Sequence, residues 1–253
     1  MPEVGERVIE MKAMAREAGY RTKVAVSSID SRVDAVGACV GVRGSRIKNI
    51  VDELGGEKID IVRWNESSQI LIGNSLKPAE VQETALCFEL NRATVVVAED
   101  QLSLAIGKRG QNVRLAARLT GWDIDILTPA EYNKGLDDME KVLRTIEGVE
   151  DLLFSKLIAI GVISVMDVEE VGVEPLVNEL DLERELAERI VTVASENAKR
   201  IAEEMQAAKE AAKQAKAEAE AEAEGEAAVA STVVEGAEGE IGTEGEIGAE
   251  GED

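Results

Sequence analysis

Apolar positions in residues 39–62 and 105–127 follow one another in the same order of spacings. In CVGVRGSRIKNIVDELGGEKIDIV a short apolar run leads into G-x-x-G. Ile47, Ile50, Val51 and Leu54 then recur at helical intervals, a glycine ends the run, and IDI follows. AIGKRGQNVRLAARLTGWDIDIL repeats the order with Val113, Ala116 and Ala117. Gly55 and Gly121 read as helix caps, and 59–62 and 124–127 as strands. One unit of helix, tight loop, helix and strand is therefore used twice. Upstream of the first copy, ERVIEMKAMAREAG (6–19) has helical spacing closed by Gly19, and RTKVAVSS alternates as a strand. Upstream of the second, ETALCFEL and ATVVVA read as a hairpin.

These elements predict an α+β chain in two tandem units, 1–80 and 81–130, each a helical pair on a small sheet. At about 65 residues a unit buries only a marginal core, so the two are expected to pack together. Residues 137–206 are helical by spacing (LDDMEKVLRTI, VEDLLFSKLIAIGV, SVMDVEEVG with Ser164 as N-cap, and LERELAERIVTVASENAKRIAEEM). Residues 207–253 are Ala/Glu/Lys-rich and then Gly/Glu-rich; they lack the apolar mass to fold, and a disordered acidic tail is expected.

Charge sharpens this division. The net charge is −23, yet residues 1–128 hold 17 Lys and Arg against 18 Asp and Glu, residues 129–202 hold 8 against 17, and residues 203–253 hold 3 against 16. A chain whose acid is concentrated at one end can still present a positive face to an anion. There is no histidine, which removes Ser-His-Asp and Cys-His nucleophilic sites and imidazole proton shuttles. An enzyme is not expected, nor a metal or cofactor. Cys39 and Cys87 sit in apolar surroundings far from CxxC spacing, which points to buried reduced thiols and a cytoplasmic location. No apolar run reaches the roughly 18 residues of a membrane span.

With 22 glycines, G-x-x-G spacing alone decides nothing; the tail matches it repeatedly because glycine falls on every third position from 236 to 251. The loops at 41–44 and 107–110 differ in context. Each joins two helices, so glycine can supply the positive φ of a tight turn and leave the backbone open to close approach. The following helix then points its free N–H groups and positive dipole end at the same place, a geometry suited to phosphate. Arg43, Arg46 and Lys48 surround the first loop, and Lys108, Arg109, Arg114 and Arg118 the second. Neither G-x-x-x-x-G-K-[ST] nor G-x-G-x-x-G is present, so a nucleotide-hydrolysing site is not indicated.

VGACVGVRGSRIKNIVDELGGEKIDIVRW followed by DQLSLAIGKRGQNVRLAARLTGWDIDI resembles the paired K-homology (KH) domains of the bacterial transcription elongation and termination factors of the NusA family. The likeness runs from residue 4 to about 130 and includes RTKVAV and DQLSLAIGK. It implies two tandem KH domains, each of whose loops clamps the backbone of about four nucleotides. It also implies binding of single-stranded, nascent RNA near the transcribing polymerase, with effects on pausing, termination and antitermination. RNA polymerase or other transcription factors are then candidate partners. By position, Gly41, Val42, Arg43 and Gly44, and Gly107, Lys108, Arg109 and Gly110, are the two clamps. From chemistry alone, Arg46, Lys48, Arg114 and Arg118 are assigned to steady phosphates behind them.

Only six aromatic residues are present and none lies in either loop or its following helix, so readout leans on backbone clamping and apolar contact to base faces. Trp64 and Trp122 are expected in cores. The LxxxGVxSVxDVEEV rhythm resembles helix-hairpin-helix repeats, but Asn178 to Leu182 supplies no second hairpin glycine and the local charge is negative, which favours a protein contact over nucleic acid. An interaction adaptor, or a KH protein of the ribosome or of RNA processing, are the alternatives.

Overall fold

The computed structural model describes residues 2–201 and 203; the tail expected at 207–253 lies outside the described residues. The first unit runs α1 (Pro2–Gly5), β1 (Ile9–Glu17), β2 (Arg21–Ser28), α2 (Ala35–Val40), α3 (Ser45–Glu53) and β3 (Lys58–Arg63). The second repeats the order: α4 (Ser68–Leu76), β4 (Val81–Cys87), β5 (Arg92–Val97), α5 (Glu99–Ile106), α6 (Gln111–Thr120) and β6 (Asp123–Leu127). In both, an antiparallel hairpin is extended by a parallel third strand, with sheet orders β1-β2-β3 and β4-β5-β6. The element before the second hairpin, α4, places Ile72 and Leu76 in one core with Val95, Val97, Ala105 and Trp122, so these residues, which precede position 81, fill the second unit.

Alternation along the strands gives each sheet two apolar faces, and each is covered differently. Val24, Val26, Ile59 and Ile61 face the unit's own α2, with Ala35 and Cys39. Ala15, Ala25 and Val62 point the other way and are buried under Leu115 and Leu119 of α6, from the second unit, and Leu71 of α4. The second sheet follows the same rule. Ala93, Val95 and Ile124 face its own helices, whereas Val96 lies under Tyr132 and Ile163, with Ala85 and Leu127 beside it. The expected packing of the two units thus takes the form of one unit's helix lining the back of the other's sheet.

One expected element is overturned: residues 9–17 are a strand, not the helix read from their spacing. The register shifts between Met11 and Ala13, so Lys12 is a β-bulge, and the inward side changes there. Ile9 faces α2 and Ala15 faces α6. β4 carries a matching irregularity between Val81 and Glu83.

The remaining described helices are α7 (Pro129–Leu143), α8 (Asp151–Ala159), α9 (Val165–Val171), α10 (Val173–Leu180) and a further helix that begins at residue 184. Two capping boxes set their entries: Thr128 with Glu131 before α7, and Ser164 with Asp167 before α9, the latter at the N-cap expected from sequence. Met139, Leu143, Leu157, Val168, Leu176 and Ile190 are buried along these helices. Docking on the second sheet depends on Gly161, in the turn between α8 and α9 at φ 81°. A Cβ there would lie 2.6 Å from the Cys87 amide nitrogen and closer still to the Leu86 carbonyl. Arg92 adds a polar tie by donating to Asp167 (3.1 Å) and Glu170 (3.2 Å). No helix among the described residues is long and apolar enough to cross a membrane.

Candidate nucleic-acid interface

The two loops have nearly the same backbone. Gly41 and Gly107 stand at φ/ψ 75°/175° and 74°/172°, Arg43 and Arg109 at 52°/29° and 55°/31°, and Gly44 and Gly110 at 75°/13° and 70°/16°. Arg43 and Arg109 are non-glycine residues in the left-handed region, which costs about 1–2 kcal/mol each. Strain repeated at the same position of two copies marks the loop tip as more than a connector. The glycines serve different needs. A Cβ on Gly41 would meet the Arg46 side chain at 2.7 Å and one on Gly107 would meet Asn112 at 2.7 Å, so the first glycine admits the following helix. The second, at Gly110, faces open space and answers to φ alone.

Beyond the loops, α3 and α6 begin at Gly44 and Gly110 without any side-chain N-cap. Their first-turn amides and positive dipole ends are left to an outside acceptor. Val42, 82% exposed, and Arg43 form the tip of the first loop, and Lys108 and Arg109 the exposed tip of the second. The side chains of Arg43, Lys48, Lys108 and Arg109 make no hydrogen bond or ion pair to other described residues.

The other cations named from sequence are engaged. Arg46 donates through one nitrogen to Glu3 (2.6 Å) and to the Ala38 carbonyl (2.9 Å). Asn112, its counterpart in the second copy, does similar work: its amide donates to the carbonyls of Leu76, Leu104 and Ala105 at 3.0–3.2 Å and is buried. Both side chains satisfy carbonyls at the end of the preceding helix. Arg114 donates to Glu17 (2.6 Å) and to the Arg109 carbonyl (3.3 Å), and Arg118 lies 3.8 Å from Glu17. The structure therefore brings Arg43 and Lys48 to an open face at the first loop, and Lys108 and Arg109 at the second, while Arg46, Arg114 and Arg118 face carboxylates.

A groove of about 480 Å³ opens along the outer edge of β3. Val36, Ile59 and Ile61 give it an apolar wall, and Arg63, Asn74 and Lys77 a polar one. At its inner end Asp60 accepts from Arg21 (2.6 and 2.9 Å) and from the buried Lys23 (3.2 Å). Burial opposes the Asp60 charge, but Arg21 and Lys23 more than offset it and hold its pKa below the ordinary value. Burial also draws the Lys23 pKa down against the pull of Asp60. Arg63 is paired with Asp34, which also lines the groove, so Lys77 and the Asn74 amide are left to face the apolar wall. The arrangement suits a base with its phosphate, and no aromatic residue lines it.

Sequence reasoning did not single out Lys23, Asp60, Arg63 or Lys77, whose placement depends on strand register, nor Glu17 and Glu57, whose partners are far along the chain. Glu57, buried, accepts from Arg16 (2.9 Å twice), the Gly19 amide (2.9 Å) and the Thr22 hydroxyl, and Arg16 and Thr22 chiefly hold its pKa at about 2. Trp122 is buried, with Phe88 edge-on at 5.1 Å, and Trp64 is half-buried beside the first sheet. Cys39 and Cys87 are free and buried, with burial pushing both thiols up.

Comparison with known proteins agrees with this geometry. Residues 1–64 match the family model for the NusA-like first KH domain, and residues 68–134 that for the NusA-like second KH domain. The transcription termination/antitermination protein NusA of Halalkalibacterium halodurans is 52% identical over 131 residues, a match covering 52% of this chain and 34% of that protein. NusA of Bacillus subtilis is 52% identical over 151 residues, covering 57% of this chain and 41% of its own length. NusA of Rickettsia prowazekii is 38% identical over 198 residues, covering 75% and 39%, so that similarity continues into the helices after residue 134. The chain spans about a third to two fifths of the length of these relatives. The two models, laid end to end over half the sequence and over the two glycine loops, place the chain in the family of NusA-like tandem KH proteins.

Proposed function

We propose that the chain binds single-stranded RNA through its paired loops, and that this RNA is the nascent transcript on which elongation, pausing, termination and antitermination are regulated. The carrying observation is the near-identity of the two loop backbones, each ending at an uncapped helix start beside cations, Arg43 and Lys48 or Lys108 and Arg109, that have no carboxylate partner among the described residues. Phosphates sit on the loops and first-turn amides, and bases turn towards apolar walls such as Val36, Ile59 and Ile61. The names of the relatives, termination and antitermination proteins, give the transcriptional setting. The protein acts in the cytoplasm and is not an enzyme. Its acidic helical region meets RNA polymerase or another transcription factor, because 17 acidic against 8 basic residues in 129–202 would repel RNA.

Replacement of Val42 and Arg43, and of Lys108 and Arg109, by Asp tests this reading. Aspartate tolerates the left-handed backbone, so the fold should persist by circular dichroism while RNA affinity collapses. In the wild type, log affinity should fall with log salt at about −0.7 per phosphate neutralised. Unchanged affinity in the Asp variants, or a flat salt profile, refutes the clamp.

A further inference from the structure

Glu17, the last residue of β1, belongs to the first unit but spends both carboxylate oxygens on the second. One oxygen accepts from Arg114 Nε at 2.6 Å and lies 3.8 Å from Arg118; the other accepts from Gln111 Nε2 at 2.9 Å. Gln111 is the first residue of α6, directly after Gly110, and Arg114 also donates to the carbonyl of Arg109 at the strained loop tip (3.3 Å). A continuous path thus runs from the first sheet through Arg114 to the second loop. The first loop is tied only within its own unit, by Arg46 to Glu3 and to the Ala38 carbonyl. Among the described residues Lys48, the counterpart of Arg114, is exposed and makes no ion pair, and α3 has no buried residue, whereas α6 buries Asn112, Leu115, Ala116 and Leu119.

We propose that Glu17 is a positioning residue that fixes the second loop against the first unit, so that one RNA strand is held by both loops in a set register. This rests on the RNA-binding reading above and adds to it a division of labour. Arg114 and Arg118 serve geometry through Glu17, and the second grip on phosphate is left to Lys108, Arg109 and the amides of α6. The first loop is held by its own unit alone, and the second is set against both. Linked sites gain from each other only when their spacing is held, so loosening the brace should harm long RNA and spare short RNA.

The test uses the full chain with single-stranded RNAs of random sequence, one of about 5 and one of about 12 nucleotides, the shorter sized to one loop. Glu17→Arg should weaken binding of the longer RNA about tenfold and leave the shorter within about twofold. Coulomb attraction from an added cation alone would strengthen both, so a fall reports geometry. Arg114→Glu should also weaken the longer RNA, and the exchange Glu17→Arg with Arg114→Glu should restore it. If the exchange binds no better than Arg114→Glu alone, Arg114 touches RNA directly and the proposal fails; wild-type affinity in Glu17→Arg overturns it equally. Should Glu17→Arg not fold, Glu17→Gln replaces it, with a smaller loss expected for the longer RNA and equal losses for both RNAs refuting the proposal. Hydrogen exchange of the free protein separates the two readings. Glu17→Gln should speed exchange at 108–114 and not at 42–48, whether or not RNA binds, and unchanged rates sink the brace without touching the RNA assignment.

Discussion

Replacing Gly161 with Ala measures how much of the molecule hangs on one backbone contact. The new Cβ would stand 2.6 Å from the Cys87 amide nitrogen and closer still to the Leu86 carbonyl, and neither can swing aside because both lie at the end of β4. Overpacking against backbone costs about 1–3 kcal/mol. The φ of 81° adds about 1–2 kcal/mol for a residue with a Cβ. The sum is about 2–5 kcal/mol, a large part of a domain's stability. Gly121→Ala supplies the control. It has φ 78° with nothing within 4 Å of its Cβ, so it bears the backbone strain without the collision. Thermal unfolding of both variants, followed by circular dichroism, should show Gly161→Ala less stable than Gly121→Ala by the packing share, about 1–3 kcal/mol. Hydrogen exchange should locate the loss at 85–87 and at Ile163, where the helices rest on the second sheet. Equal destabilisation by the two variants would show that the helices can withdraw from β4 at no cost, and would refute the close-approach reasoning.

Acid should loosen the first unit through Glu57. Its folded pKa of about 2 lies below the ordinary 4.5, so its contribution is complete above about pH 4.5 and is lost as pH falls towards 2; melting temperature against pH should flatten over that window in Glu57→Gln. Asn112→Leu leaves the buried carbonyls of Leu76 and Ala105, and the partly exposed one of Leu104, without this donor, for a loss of about 1–3 kcal/mol in denaturant unfolding. Ser164→Ala removes one half of the capping box before α9 and should cost about 1 kcal/mol by the same measurement.

Much of this was legible in the residues because the unit is repeated. Both loops, the helices after them, the hairpin of the second unit and the strands at 59–62 and 124–127 stand where apolar spacing and glycine placed them. Residues 9–17 misled although Ile9, Met11, Ala13 and Ala15 alternate with polar neighbours, because Met14 interrupts the pattern and the stretch is rich in the helix-forming residues Met, Lys, Ala, Arg and Glu. The helix at 68–76 went unread: SQILIGNSL carries no charge, and its burial is split between two cores, with Leu71 in one and Ile72 and Leu76 in the other. At the candidate site, spacing located the cations but not their partners. Glu17 is 97 residues from Arg114, and Glu3 is 43 from Arg46. Composition cannot show which of seven basic side chains already has a counter-ion.

The two-faced sheets bear on how the chain is made. Emerging from the ribosome N-terminus first, β1 to β3 can cover one side with α2 at once, but the opposite side waits for Leu115 and Leu119. The β4 to β6 sheet waits in turn for Tyr132 and Ile163. Each module is thus completed by its successor. A nascent chain stalled between them carries a bare apolar surface, the condition in which growing polypeptides need chaperone cover.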